Sequence, residues 1–294
     1  VVALSLVFAA CGSDDVGSTR SGTADQLPPD AAAAAQVGES LTDVGPALFR
    51  AVAATENGNV AVAPWPATDV LAQVRAGAEG ATLDELSSAL TLDGADDRSV
   101  LRGLGTIAGI LDSRLGEQAN DQRRGTITLE TATGLWIQRG TTLDDDWLDL
   151  LSAGLGRGVH LVDFRSDPES SRRAVNSWAR DETNGAIDQL VLRGVVTADT
   201  RLLAATALWL QAPWAQSFDV TRTVSAPFAR LDGSTIDVAS MRLDARLRST
   251  TGDGLDAVEL PYLGGDLSML VIVPAAGRYD EVESSLDAAM LDDV

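Results

Sequence analysis

Residues 166–214 constrain the fold of this chain more than any other stretch. Ser166 and Asp167 carry side-chain oxygens suited to an N-cap, and Pro168 stands where a missing backbone N–H costs nothing. Ala174, Val175, Trp178 and Ala179 follow at i, i+1, i+4 and i+5, one apolar stripe on an otherwise charged helix. Thr183-Asn184-Gly185 ends the helix, because Asn and Gly tolerate the left-handed conformation of a C-terminal cap. After a connector, residues 202–210 are almost unbroken apolar sequence of strand length, closed by Gln211-Ala212-Pro213-Trp214. Such a run predicts a strand hidden on both faces in the middle of a covered sheet.

Around this frame the periodicities give helices over 37–54, 66–77, 81–90, 98–118, 143–151 and 279–291. Pro46 is tolerated in the first of these if the helix begins near Asp43. Short strands are predicted at 60–62 and 159–162. Ile127, Leu129, Leu135 and Ile137 share one parity over 126–137, a strand pattern. Residues 219–275 read as strands with turns at Asp232-Gly233, Gly252-Asp253-Gly254 and Gly264-Gly265. Helices dominate the first half and antiparallel strands the second, an α+β order. With no repeat and no linker after residue 36, residues 37–294 read as one domain.

The N-terminus carries the second strong signal. Val1 to Ala10 is apolar and ends in small residues, and Cys11 follows as the one cysteine of 294 residues. Ala9-Ala10-Cys11 resembles the end of a bacterial lipoprotein signal, with Phe8 where leucine is commonest. This implies that 1–10 is the remnant of a signal begun upstream and that Cys11 is lipidated. The protein is then extracytoplasmic, anchored to the cell membrane or secreted. Ten apolar residues are too few to span a bilayer. Residues 11–36, rich in Gly, Ser, Asp, Pro and Ala without an apolar period, read as a flexible tether.

A formal charge of -21 repels phosphate backbones, which argues against a nucleic-acid partner. One histidine and one cysteine cannot assemble a metal quartet, and no cofactor motif occurs. A Ser-His-Asp triad would have to use His160, which reads instead as an incidental strand-edge residue. Asp144, Asp145 and Asp146 read as a helix N-terminus, where the macrodipole favours negative charge. Trp136, Trp178, Trp209 and Trp214 sit in apolar periodic segments and are assigned to packing.

Val175-Asn176-Ser177-Trp178-Ala179 with Thr183-Asn184-Gly185 resembles the helix F motif of serpins. Residues 203–214 are similar to the central strand of the serpin sheet A, running into its "breach" tryptophan, here Trp214. Glu259-Leu260-Pro261-Tyr262, Leu267-Ser268-Met269 and Val273-Pro274 resemble the sheet B hairpin. Residues 59–64 and 77–82 resemble the two ends of helix B. The resemblance implies a serpin-like fold, a monomer without catalysis or cofactor of its own, and a serine or cysteine protease as target. An exposed reactive loop would be cleaved and would insert into sheet A, trapping the protease through a covalent acyl link. By the same resemblance, the reactive-site bond and the last strands lie beyond residue 294.

The "shutter" beneath the expected opening departs from the family pattern. Ala63 and Pro66 stand where inhibitory serpins usually place serines, and Thr206 where they place asparagine. Three readings follow. The first is a lipid-anchored inhibitor of serine-type proteases. The second is a non-inhibitory binding protein on the same fold. The third is a solute-binding lipoprotein, against which the α+β order stands.

Overall fold

A computed structural model describes residues 17–293 apart from Asn57 and Asp253. The chain opens with β1 (Ser18–Arg20) and α1 (Ala31–Ala53), followed by α2 (Pro64–Arg75), α3 (Gly80–Ala89) and α4 (Asp97–Asp112). Next come β2 (Gly116–Ala119), β3 (Arg124–Gln138), α5 (Asp145–Leu155), β4 (Val159–Val162), α6 (Pro168–Glu182) and β5 (Leu202–Gln211). The last part holds β6 (Val224–Ala229), β7 (Thr235–Ser240), β8 (Ser249–Gly252), β9 (Leu255–Pro261), β10 (Ser268–Pro274), α7 (Tyr279–Ser285) and α8 (Ala288–Asp293).

The main sheet is built on β3. β3 pairs with antiparallel β2 near its start, with parallel β4 near its end, and with antiparallel β5 from Thr128 to Ile137. Alternation along β3 divides the interior. Leu135 and Ile137 enter a core with Val37, Val70, Leu101, Leu104 and Leu151 of the N-terminal helices. Trp136 points the other way, into a second core with Phe164, Val175, Val191 and Ala205. Close backbone approach tightens the helical layer: a Cβ on Gly103 would lie 2.4 Å from the Ala33 carbonyl oxygen, and one on Gly105 would lie 2.2 Å from that of Gly154.

The smaller sheets are β10–β9–β8 and the β6–β7 ribbon. Trp214 joins the main sheet to β9. It bridges to Tyr262 and stacks on that ring at 4.6 Å, while Leu263 N donates to Pro213 O at 2.8 Å. The smaller sheets expose much apolar surface, including Phe228, Met269 and Val273.

Several expectations need correction. The strand at 202–211 forms and pairs with β3, but it is not hidden on both faces. Ala205 and Ala207 are buried, whereas Leu202, Leu208 and Leu210 stay 44%, 37% and 40% exposed. The apolar run extends over both faces of the strand, yet the face of Ala205 and Ala207 is the buried one and that of Leu202, Leu208 and Leu210 is not.

The flexible stretch expected over 11–36 is docked from residue 17 onward. Gly17 packs on β4, β1 pairs with that strand, and Asp30 caps α1 by accepting from Ala32 N and Ala33 N. The first helix therefore starts six residues before the predicted 37, and Pro46 lies buried within it. No strand forms at 60–62. The helix predicted over 98–118 ends at Asp112, because Gly116 takes φ +90° and opens β2. The helix predicted over 279–291 is two, broken at Leu286, whose ψ of 110° is extended.

Candidate functional site

Two helices cover the β3–β5 pair from opposite sides, and both carry residues singled out in the sequence. On the face of Trp136 lies α6. Its N-cap Asp167 accepts from Ser170 N at 2.9 Å, and its apolar stripe buries Val175 and Ala179. Trp178 meets Trp136 edge to face with ring centroids 4.7 Å apart, and His160 stacks on Trp136 at 4.9 Å. Burial holds the His160 imidazole below its ordinary pKa, so it is a neutral packing residue against indole.

Asn176 does what a neighbouring strand would do. Its Oδ1 accepts from Val191 N at 2.7 Å and its Nδ2 donates to Val191 O at 3.0 Å, pinning α6 to the connector before β5. Arg172, one helical turn earlier, adds a second donor to Val191 O at 2.9 Å. Reading the sequence for apolar stripes passed over Arg172; its i, i+4 spacing from Asn176 is the signal that could have found it. Thr183 ends the helix fully buried, its hydroxyl donating to Ala179 O and accepting from Ile187 N. Asn184 and Gly185 then take φ of 51° and 82°, and Gly185 N closes on Arg180 O. Asn176, Trp178, Thr183 and Gly185 are thus one device for seating and stopping α6.

On the opposite face lies α2. Ala63 is its N-cap and offers no side-chain hydrogen bond, while Pro66 is buried in the first turn. Thr206 pairs with Thr133 of β3. It lies two residues from Ala204, the partner of Leu135, and so faces the same side as that helical core. Ala63, Pro66 and Thr206 therefore belong to the α2 side of the β3–β5 pair. Two further α2 residues are buried there. The Thr68 hydroxyl has no hydrogen-bond partner among the described residues, and Asp69 is paired with Arg157 at 2.5 Å.

Trp214 lies apart from both groups, at the far end of β5, with Phe218 edge-on at 6.0 Å. It lines a cleft with Leu243, Arg246 and Leu260. The place where β3, β5 and the smaller sheets meet is tight: a Cβ on Gly125 would come within 2.9 Å of Pro213. Among the described residues no group of three His, Cys, Asp or Glu side chains could hold a metal ion. What the arrangement offers is backbone: the ten-residue β5, paired with β3 between α2 and α6.

The family model described as Serpin (serine protease inhibitor) matches residues 39–294. The chain belongs to the serpin family. An uncharacterized serpin-like protein of Thermococcus kodakarensis is 30% identical over 247 residues, covering 84% of this serpin and 55% of its own length. The "probable non-inhibitory serpin-Z9" of Oryza sativa is 28% identical, over 78% of this chain and 52% of its own. Among solved structures, Arabidopsis AtSerpin1 in its native stressed conformation superposes with a TM-score of 0.77 at 25% identity, covering 90% of this serpin and 67% of that chain. This serpin spans about half the length of the curated relatives it matches. Its helices and mixed sheets are the α+β fold of the family.

Proposed function

We propose that this serpin inhibits serine-type endopeptidases by covalent trapping and strand insertion. The observation that carries the reading is the match of residues 39–294 to the family described as serine protease inhibitor, with β3 and β5 paired between α2 and α6. The chemistry belongs to the protease. Its serine attacks the bait carbonyl, the new amino terminus leaves, and the acyl ester persists only if insertion outruns water. The bait loop is the segment that the family places after residue 294.

The test uses the full-length protein mixed with trypsin-, chymotrypsin- and subtilisin-like proteases. At least one should form a complex that survives boiling in detergent, and loop cleavage should raise thermal stability. Cleaved product alone, with no gain in stability, overturns the reading. A second reading, a non-inhibitory binding protein, is favoured by Ala63, Pro66 and Thr206, which lack the family's usual serines and asparagine. Under the inhibitory reading, Ala63→Ser, Pro66→Ser and Thr206→Asn together shift the ratio of trapped to cleaved protein; under the second, no variant traps.

The same proposal places the protein outside the cytoplasm, held to the membrane through lipid on Cys11. That cysteine lies outside the described residues, and the support is its position after Ala9-Ala10. Five residues separate it from Gly17, a reach of about 20 Å when extended, so the folded body would sit close to the bilayer.

A further inference from the structure

The residues ahead of the family match do more than lead into the first helix. β4 is a four-residue strand joined to β3 by three register pairs, Trp136–His160, Ile137–Leu161 and Gln138–Val162. On its other edge, β1 supplies three more, Ser18–Leu161, Thr19–His160 and Arg20–Val159. Half of the ladder that fixes β4 is therefore made by the N-terminal segment, which the family match at residue 39 does not include.

From β1 the chain runs across the helical layer. Arg20 pairs with Asp145 at 2.6 Å at the start of α5. One turn on, the Asp149 carboxylate accepts from Thr23 N at 2.6 Å and Ala24 N at 3.2 Å, and Leu27 N donates to Ala153 O at 2.7 Å. On α4, Arg102 donates to Pro28 O and pairs with Asp30, whose own backbone N–H donates to the Thr106 hydroxyl. Two glycines at this seat have no left-handed backbone to explain them, only lack of room. A Cβ on Gly22 would lie 2.5 Å from Asp149 N, and one on Gly158 would lie 2.4 Å from Arg20 O.

We propose that residues 17–30 are a strap that clamps β4 to β3 and to α5 and α4, and that restrains the main sheet against rearrangement. Where the rearrangement is strand insertion, the effect rests on the inhibitory reading; the clamp itself does not. The test is hydrogen exchange on the full-length protein and on three variants. Gly158→Ala and Gly22→Ala wedge the seat apart. Asp149→Ala removes the acceptor for Thr23 and Ala24 from a half-buried helix position with little steric change, and so serves if either glycine variant fails to fold. Gly109→Ala, in a helix with nothing near its Cβ, is the control.

Exchange over 18–24, over Val159–Val162 and over Trp136–Gln138 should quicken about tenfold or more in the seat variants and stay unchanged in the control. Faster exchange confined to 18–24 would overturn the clamp, since the segment would then merely rest on the surface. So would an unprotected 18–24 in the unaltered protein. In the protease assay, the seat variants should change the ratio of trapped to cleaved protein. An unchanged ratio alongside lost β4 protection overturns the restraint on insertion, whereas absence of trapping in every variant and in the unaltered protein refutes the inhibitory reading.

Discussion

Asn176→Ala is a sharp probe of how α6 is held on the sheet. In the intact protein one side chain satisfies both backbone groups of Val191, at 2.7 and 3.0 Å, in a spot where both residues are buried. Alanine removes both bonds, but the consequences differ. The carbonyl keeps Arg172, whereas the N–H loses the partner given by the structure. An orphaned buried donor costs about 1–3 kcal/mol, and the lost bond to the carbonyl adds roughly 1. A loss of about 2–4 kcal/mol follows, equivalent to roughly 3–6 °C in melting temperature for a chain of this size.

Urea unfolding followed by tryptophan fluorescence reads the global loss, and the rings of Trp136 and Trp178 report this core directly. Exchange of the Val191 amide reads the local one and should lose most of its protection. Arg172→Met should cost less than Asn176→Ala, because Asn176 still serves both groups. The double variant should exceed the sum of the singles, since only then is Val191 O also bare. A change below about 0.5 kcal/mol for Asn176→Ala, or an undisturbed Val191 amide, would refute the reasoning.

Thr68→Val should stabilise the protein by about 1 kcal/mol in the same urea assay, because a methyl of similar shape replaces a buried hydroxyl that has no hydrogen-bond partner among the described residues. His160 gives a pH dependence with a definite sign. Its folded pKa is lowered by burial, so the unfolded chain takes up the proton first as pH falls through about 6.5, and stability drops from there until the folded pKa is passed. His160→Phe keeps a ring against Trp136 and should flatten that acid-side slope; an unchanged slope refutes the assignment. Cys11→Ser, in a protein carrying an intact signal, should move it from the membrane fraction to the soluble one. Finding the unaltered protein soluble removes the anchor.

Most element positions were legible because they rest on local chemistry. Asp167, Pro168, the stripe through Val175 and Ala179, and Asn184-Gly185 mark the start, the buried face and the end of α6 without help from the rest of the chain. Asp144 caps α5 as its position in the Asp144–Asp146 run implies. What failed was information held in pairing. The apolar run of β5 predicts two buried faces, yet the one with Leu202, Leu208 and Leu210 stays exposed, and the polar stretch 17–30 has no period because its partners are the backbone of β4 and the side chains of α4 and α5. Its glycines looked like flexibility. Gly22 is instead a close-contact residue, a distinction that only the position of Asp149 can make.

The β4 side of the main sheet is held at several points, and this bears on how the sheet moves. Beyond β4 the edge is closed by β1 and tied through residues 17–30 to three helices, α5, α4 and α1. A sheet that is to gain a strand needs one side that yields and one that stays, because an edge free to move on both sides would let the ladder slip in register. Asn176 and Arg172 add a restraint on the connector feeding β5, so motion there has to begin by loosening Val191. Val191 therefore ties α6 to the lead into β5, which is why its amide, more than any exposed loop, should report the first step of opening.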